Sequence, residues 1–163
     1  MFKVISVFLI VFSAGLSACT QSAKLEASDP RRVLTDYISK SFSIKGVEDR
    51  AELVSHMTGD VKARLASWSE SQFREAFVES KREFIKLSFR EVKEISANEA
   101  QITYELSYFD RGRNKKNETL PNRESKVTEK KLCQMLLVDG KWYIADVRSI
   151  KELVEFKNEL SLP

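Results

Sequence analysis

The segment LCQMLLVDGKWYIADV, residues 132–147, predicts a β-hairpin. Apolar residues alternate with other residues on both sides of Asp139-Gly140, a dipeptide that favours a two-residue turn between antiparallel strands. An earlier strand with one apolar face is predicted by the alternation of Ile102, Tyr104, Leu106 and Tyr108. Residues 85–95 alternate less regularly, so we expect a further strand with a bulge or bend near Arg90 and Glu91.

The part of the chain before these strands predicts helices. Asp29 and Pro30 suit the cap and first turn of a helix that extends to about Gly46. Shorter helices are expected over about residues 48–57 and 61–68, and Ser69 with Gln72 forms a capping-box pattern. Ser149 and Glu152 repeat that pattern, so we expect a closing helix over residues 149–160. This order predicts an α+β domain with N-terminal helices packed on a curved antiparallel four-stranded sheet and a C-terminal helix.

The N-terminus has the pattern of a secretory signal. A charged start is followed at residues 4–15 by about 12 mostly apolar residues, too few for the ~20 that a membrane-spanning helix needs. The next residues, Leu16-Ser17-Ala18-Cys19, resemble the bacterial lipobox. That resemblance implies a diacylglyceryl group on Cys19 and cleavage before it, whereas an ordinary signal peptide with a coincidental cysteine is the alternative. We expect a signal peptide over residues 1–18, a lipidated tether over 19–29 and one domain over 30–163.

The residue after Cys19 bears on which membrane would hold the anchor. Thr20 stands where an Asp often favours retention in the inner membrane, so an outer-membrane anchor facing the periplasm is favoured if the host is Gram-negative.

The composition limits the possible ligands and cofactors. The chain has 27 basic and 24 acidic residues, a net charge of +3, which gives no case for nucleic acid. Cys133 is the only cysteine after Cys19 and is expected to be a buried apolar residue. With one histidine and no phosphate-binding glycine loop, we expect no metal and no cofactor.

Three segments resemble the nuclear transport factor 2-like (cystatin-like cone) superfamily, in particular its lipoprotein and secreted branch of unknown function. They are PRRVLTDYISKSF (30–42), ELVSHMTGDVKARLASWSESQFREAF (52–77) and LLVDGKWYIADV (136–147). The resemblance covers about residues 30–150 and implies a cone-like sheet. The superfamily includes isomerases, dehydratases, transport factors, secretion-system parts and domains without known activity, so the resemblance implies a fold rather than a function.

A cone of this kind would be lined by aromatic residues, and we take Tyr104, Tyr108 and Trp142 as the candidate pocket. The same side chains could equally fill the core and leave no cavity. Isomerase-like members use Tyr and Asp groups inside the cone, and Asp110 continues the strand face of the two tyrosines. His56, with Asp60 four residues on, is a further acid–base candidate, although a partly exposed histidine near a helix C-terminus is the simpler interpretation.

Residues 110–125 form a polar stretch that predicts a long exposed hairpin loop. Basic residues outnumber acidic ones across it and the start of the next strand. The candidate contact patch comprises Arg111, Arg113, Lys115, Lys116, Arg123 and Lys126. Such a patch could contact an anionic surface or an envelope protein partner, or it could be a solvated hairpin tip.

Taken together, the sequence predicts a membrane-anchored envelope lipoprotein without catalytic residues, a binding module for a protein partner or an apolar small molecule. One alternative is an isomerase or hydro-lyase that uses a Tyr/Asp pocket in the cone. Another is a structural envelope component. The oligomeric state is left open.

Overall fold

The computed structural model describes residues 29–113 and 124–156. The signal peptide, Cys19 and the tether up to residue 28 lie outside the described residues, as do Lys115, Lys116, Arg123 and residues 157–163. The described chain has helices first and then four antiparallel strands in one sheet, in the order β1-β2-β3-β4. The predicted α+β class is therefore confirmed.

The helices and strands follow one another with short connections. The helices are α1 (Pro30–Ser43), α2 (Arg50–Val54), α3 (Gly59–Ala66) and α4 (Glu70–Phe73), with a 3₁₀ turn at Val47–Asp49 and a π-helical turn at Arg74–Val78. The strands are β1 (Ser80–Ser96), β2 (Glu99–Arg113), β3 (Ser125–Val138) and β4 (Lys141–Phe156).

Both predicted N-caps of the first half are present. The Asp29 carboxylate accepts a hydrogen bond from the Arg31 backbone N–H at 2.9 Å, and proline occupies the first turn of α1. At α4, the Ser69 N–H donates to the Gln72 side chain at 2.8 Å, and the Gln72 N–H donates to the Ser69 hydroxyl at 3.2 Å. Each cap satisfies backbone donors that the first helical turn leaves unpaired.

The pairing of β1 with β2 contains several irregularities. The register of β1 against β2 shifts between Phe89 and Glu91, which confirms the predicted bulge, and it shifts again between Phe84 and Lys86. The β3–β4 hairpin turns at Asp139 and Gly140, whose φ angles of 50° and 77° are those of a type I′ turn. The predicted two-residue turn is therefore confirmed.

The core lies between the helices and one face of the sheet. The alternation predicted for β2 is present, with every second residue from Ala100 to Tyr108 buried. The helices bury Leu34, Leu53 and Phe73 completely against this face. The helical layer thus packs on one face of the sheet, and these helices leave the other face uncovered.

The predicted C-terminal helix is wrong over residues 149–156. These residues continue β4, and Lys151–Phe156 pairs with Lys130–Ser125 of β3. The remainder of the predicted helix lies outside the described residues. The predicted loop over 110–125 is also too long, because β2 continues to Arg113 and β3 already begins at Ser125.

Candidate functional site

A cavity of about 260 Å³ lies between the helical layer and the sheet. Helices α1 and α3 form one wall, and the inward face of the strands forms the other. Its aromatic lining consists of Tyr37, Phe42, Trp68, Phe77 and Tyr104. A partly open cavity with aromatic walls and a few polar groups is typical of small-molecule sites.

The structure brings together only part of the predicted aromatic pocket. Tyr104 lines the cavity, and Tyr108, on the same strand face, packs its ring 5.8 Å from the ring of Phe42. Trp142 is buried elsewhere: it faces Leu137 on β3, whereas Tyr104 faces Lys131. Six residues of strand separate these two positions, roughly 20 Å. Trp142 therefore belongs to the hairpin end of the core and not to the cavity.

The cavity tyrosines are neutral phenols. Burial raises the pKa of Tyr37 to about 12 and also raises the pKa of Tyr104, because the charged phenolate would lose its hydration. Burial likewise raises the pKa of Tyr108 to about 12. At neutral pH these side chains can donate or accept hydrogen bonds, but they do not supply a base.

Arg82 is the principal charged group at the cavity. Its guanidinium carbon lies 5.5, 5.8 and 5.9 Å from the ring centroids of Phe42, Phe77 and Tyr108. Two of its nitrogens donate to the Ala76 carbonyl at 3.1 Å and to the Ser80 hydroxyl at 3.2 Å. Among the described residues, no carboxylate forms an ion pair with it. Within the same residues, its Nη1 atom donates no hydrogen bond.

The sequence interpretation did not find Arg82, for a physical reason. An unbroken alternation through Ile85, Leu87 and Phe89 would place the even-numbered residue 82 on the outer face. The register shift between Phe84 and Lys86 inserts one residue, and Arg82 then lies on the inward face opposite Asp110. The irregular apolar spacing after residue 84 was the one available signal.

Further charged side chains line the cavity on the sheet and on α3. The Lys131 ammonium and the Glu129 carboxylate are 2.9 Å apart, and their side chains are only 21% and 13% exposed. Arg64 of α3 also lines the cavity. Three basic side chains thus face one acidic side chain, so the lining is net positive.

The other acid–base candidates do not form a catalytic arrangement in the described residues. The Asp110 carboxylate accepts a hydrogen bond from the Gly112 N–H at 2.8 Å, and six residues of β2 separate Asp110 from Tyr104. The Nδ1 atom of His56 lies 3.0 Å from the Glu52 carbonyl oxygen, not against Asp60. Within the described residues, no group of three His, Cys, Asp or Glu side chains could hold a metal ion.

Cys133 is fully buried, as expected for an apolar packing residue. Burial raises the pKa of its thiol to about 12, because a thiolate would lose its hydration there. The thiol is therefore unreactive in the folded chain.

The candidate basic patch is described only in part. Arg111 forms an ion pair with Glu83 at 2.7 Å, and Lys126 forms one with Glu155 at 3.1 Å. Arg113 ends β2, and the other members of the patch lie outside the described residues. The two members whose side chains are described are thus already paired with carboxylates.

No protein-family model matches the chain, and no curated protein matches it. Within residues 29–113 and 124–156, no helix has the length and apolar character needed to cross a membrane.

Proposed function

We propose that this chain is a lipid-anchored bacterial envelope protein whose domain binds a small apolar molecule carrying an anionic group. The lipobox around Cys19 supports the anchor and an outer-membrane location facing the periplasm. The observation that carries the binding function is the aromatic cavity with Arg82 at its wall, where no carboxylate of the described residues pairs with it. A cone of the nuclear transport factor 2-like type is part of the same proposal, supported by the bulges of β1.

The apolar part of the ligand follows from the cavity walls. Five aromatic rings and several aliphatic side chains line a space of about 260 Å³. That volume lies just below the range of about 300–1,000 Å³ that holds drug-sized ligands. We therefore expect a compact ligand, such as one ring with a short chain.

The anionic part follows from the charge of the lining. A guanidinium is a planar group with five N–H donors, and its geometry matches a carboxylate. Arg82 uses two donors within the protein and is partly shielded from water by three rings, which strengthens its attraction for a negative charge. Arg64 adds a second positive charge on the opposite wall.

A non-catalytic role is proposed because, among the described residues, the carboxylate that lines the cavity, Glu129, is held in an ion pair with Lys131. An isomerase or hydro-lyase would need a proton acceptor within hydrogen-bond reach of its substrate. Tyr104 is a neutral phenol, and Asp110 lies roughly 20 Å along the strand from it, so these two residues do not form a Tyr/Asp pair. The basic hairpin stays a prediction as a contact for an anionic surface or an envelope partner.

The test uses 4-phenylbutyrate against 4-phenylbutanol, which share the ring and chain and differ in charge. Binding is measured by calorimetry and by quenching of Trp68, which lines the cavity. We expect saturable binding of the carboxylate, stronger than that of the alcohol. Arg82→Gln should weaken carboxylate binding by about ten- to hundredfold, because a hydrogen bond to a charged group contributes roughly 1.5–3 kcal/mol.

The matched control is Arg111→Gln, which removes an exposed arginine away from the cavity. It should leave binding unchanged, and urea unfolding should show that both variants fold. Absence of saturable binding by either compound would overturn the proposal. Equal loss in both variants would show that net charge, and not Arg82, attracts the ligand.

A further inference from the structure

The outer edge of β4 is covered only near its start. The Ile144 carbonyl accepts a hydrogen bond from the Thr58 N–H at 2.9 Å, and the Ile144 N–H donates to the His56 carbonyl at 2.9 Å. Beyond this bridge, no backbone group of the described residues pairs with the outer edge of β4. Residues 148–156 therefore present an open strand edge, which is a template for another strand.

This open edge is unusually apolar. Ile150 is 54% exposed, Leu153 48%, Val154 36% and Phe156 58%, four large apolar side chains within seven residues. The opposite edge strand, β1, carries its exposed apolar residues along 17 residues interrupted by bulges and charged side chains. Bulges protect edge strands from pairing. β4 has register shifts before Lys151, but Lys151–Phe156 pairs with β3 without a shift, so this part of the edge is regular.

We propose that two copies of this chain pair antiparallel along β4, with Leu153 on the two-fold axis. The pairing joins two four-stranded sheets into one continuous sheet. Leu153 then faces Leu153 of the second copy, and Lys151 faces Glu155 of the second copy. By symmetry the Lys–Glu pair forms twice, so the partner of this edge is the same edge.

The register follows from the alternation of the strand. Residues 151–156 pair regularly with β3, so Lys151, Leu153 and Glu155 share the outer face of the sheet. Side chains that face each other across antiparallel strands must lie on the same face, which excludes half of the registers. Glu152 and Val154 lie on the other face and face one another across the proposed axis.

The neighbouring allowed registers are less favourable. A shift in one direction places Glu152 opposite Glu152 of the second copy, and a further shift places Lys151 opposite Lys151. A shift in the other direction centres Val154 and places Leu153 opposite Glu155, so the charges lose their partners. Opposite charges stabilise a cross-strand pair and like charges destabilise it, so the register centred on Leu153 is selected.

The first experiment tests the axis by disulfide formation in the membrane-anchored full chain. Facing residues of antiparallel strands have Cα atoms about 4.5–5.5 Å apart, within the range that a disulfide spans. We expect Leu153→Cys to form a covalent dimer on mild oxidation. The matched control is Val92→Cys, which places a cysteine at a position of similar exposure on β1, and it should stay monomeric. Absence of a dimer with Leu153→Cys, or equal dimer with Val92→Cys, would overturn the proposal.

The second experiment tests the register by charge reversal, without any added cysteine. Lys151→Glu alone places two acidic residues opposite each other at both symmetric positions, and Glu155→Lys alone does the same with two basic residues. Each single variant should raise the dimer dissociation constant about tenfold, measured by analytical ultracentrifugation. Glu155 also pairs with Lys126 of its own chain at 3.1 Å, and the double variant lacks that pair. The double variant should therefore dimerise more tightly than either single variant, whereas additive loss would contradict the pairing. Both results are independent of the cavity, so they stand apart from the test of ligand binding.

Discussion

At the scale of single residues, Asp49 connects the end of α1 to the helix that follows. Its carboxylate accepts a hydrogen bond from the Lys40 ammonium at 2.8 Å and from the backbone N–H groups of Lys45 at 2.9 Å and Gly46 at 3.4 Å. The Lys40 ammonium, followed by these backbone donors, lowers the pKa of Asp49 to about 2. The carboxylate must therefore be ionised for this connection to keep its full strength.

This pKa predicts how the stability of the protein depends on pH. An unfolded Asp titrates near pH 3.9, so between about pH 4 and pH 2 the unfolded chain binds a proton that the folded chain does not. The contribution of Asp49 is present above pH 4 and is lost as the pH falls to about 2. We expect Asp49→Asn to lower the urea midpoint at pH 7 and to flatten its fall between pH 4 and pH 2.

The control for this measurement is Asp36→Asn. Asp36 is exposed on α1 and forms no ion pair with a described residue. Its replacement should leave both the midpoint and its acid dependence near those of the wild type. An unchanged slope in Asp49→Asn, or an equal change in the control, would contradict the assignment.

At the scale of elements, the two capping-box patterns show what local sequence decides and what it does not. Ser69 and Gln72 form the box and begin α4, because nothing competes for that segment. Ser149 and Glu152 have the same spacing but lie in β4, where Lys151–Phe156 pairs with β3. The pairing partner is more than 20 residues away in sequence, so a pattern of local spacing could not reveal it.

The contrast between local spacing and long-range pairing also explains which residues of the candidate site could be predicted. Tyr104 and Tyr108 were predicted from strict alternation within one strand, and both are buried on one face. Arg82 was missed because a bulge reverses the face of the residues before it, and Trp142 was assigned to the wrong part of the core. Bulge positions and distances between strands depend on the assembled sheet, which single-strand patterns do not specify.

The hairpin turn gives a prediction at the same scale. Gly140 has φ of 77°, and a Cβ atom there would meet no atom within 4 Å. Gly140→Ala should therefore lower the free energy of unfolding through backbone strain alone, by about 1–2 kcal/mol, measured by urea unfolding. Gly140→Asn should lower it less, since asparagine tolerates this conformation. An equal fall in the free energy of unfolding in both variants would mean that backbone strain in the turn is not the cause.

At the scale of the whole molecule, the helices and the sheet differ in extent. The helical layer covers the centre of the sheet and forms one wall of the cavity there, but every residue of β4 from Arg148 to Phe156 is exposed. The proposed ligand site and the proposed dimer edge therefore lie on different parts of the same sheet. A dimer formed along β4 would leave both cavities accessible beneath their own helices.

The membrane anchor is the last prediction, and it concerns the whole chain. If Cys19 carries two acyl chains, each buried CH₂ contributes about 0.8 kcal/mol, so the wild-type protein should stay in the membrane fraction through salt and alkaline washes. Cys19→Ala removes the thiol that accepts the lipid and should move the protein into the aqueous phase of a detergent partition. Ser22→Ala, three residues further along the tether, should partition like the wild type.

The intact mass provides a second measurement of the anchor, because the wild type should gain the mass of a diacylglyceryl group. A Cys19→Ala variant that stays in the membrane fraction would assign the anchor to another part of the chain.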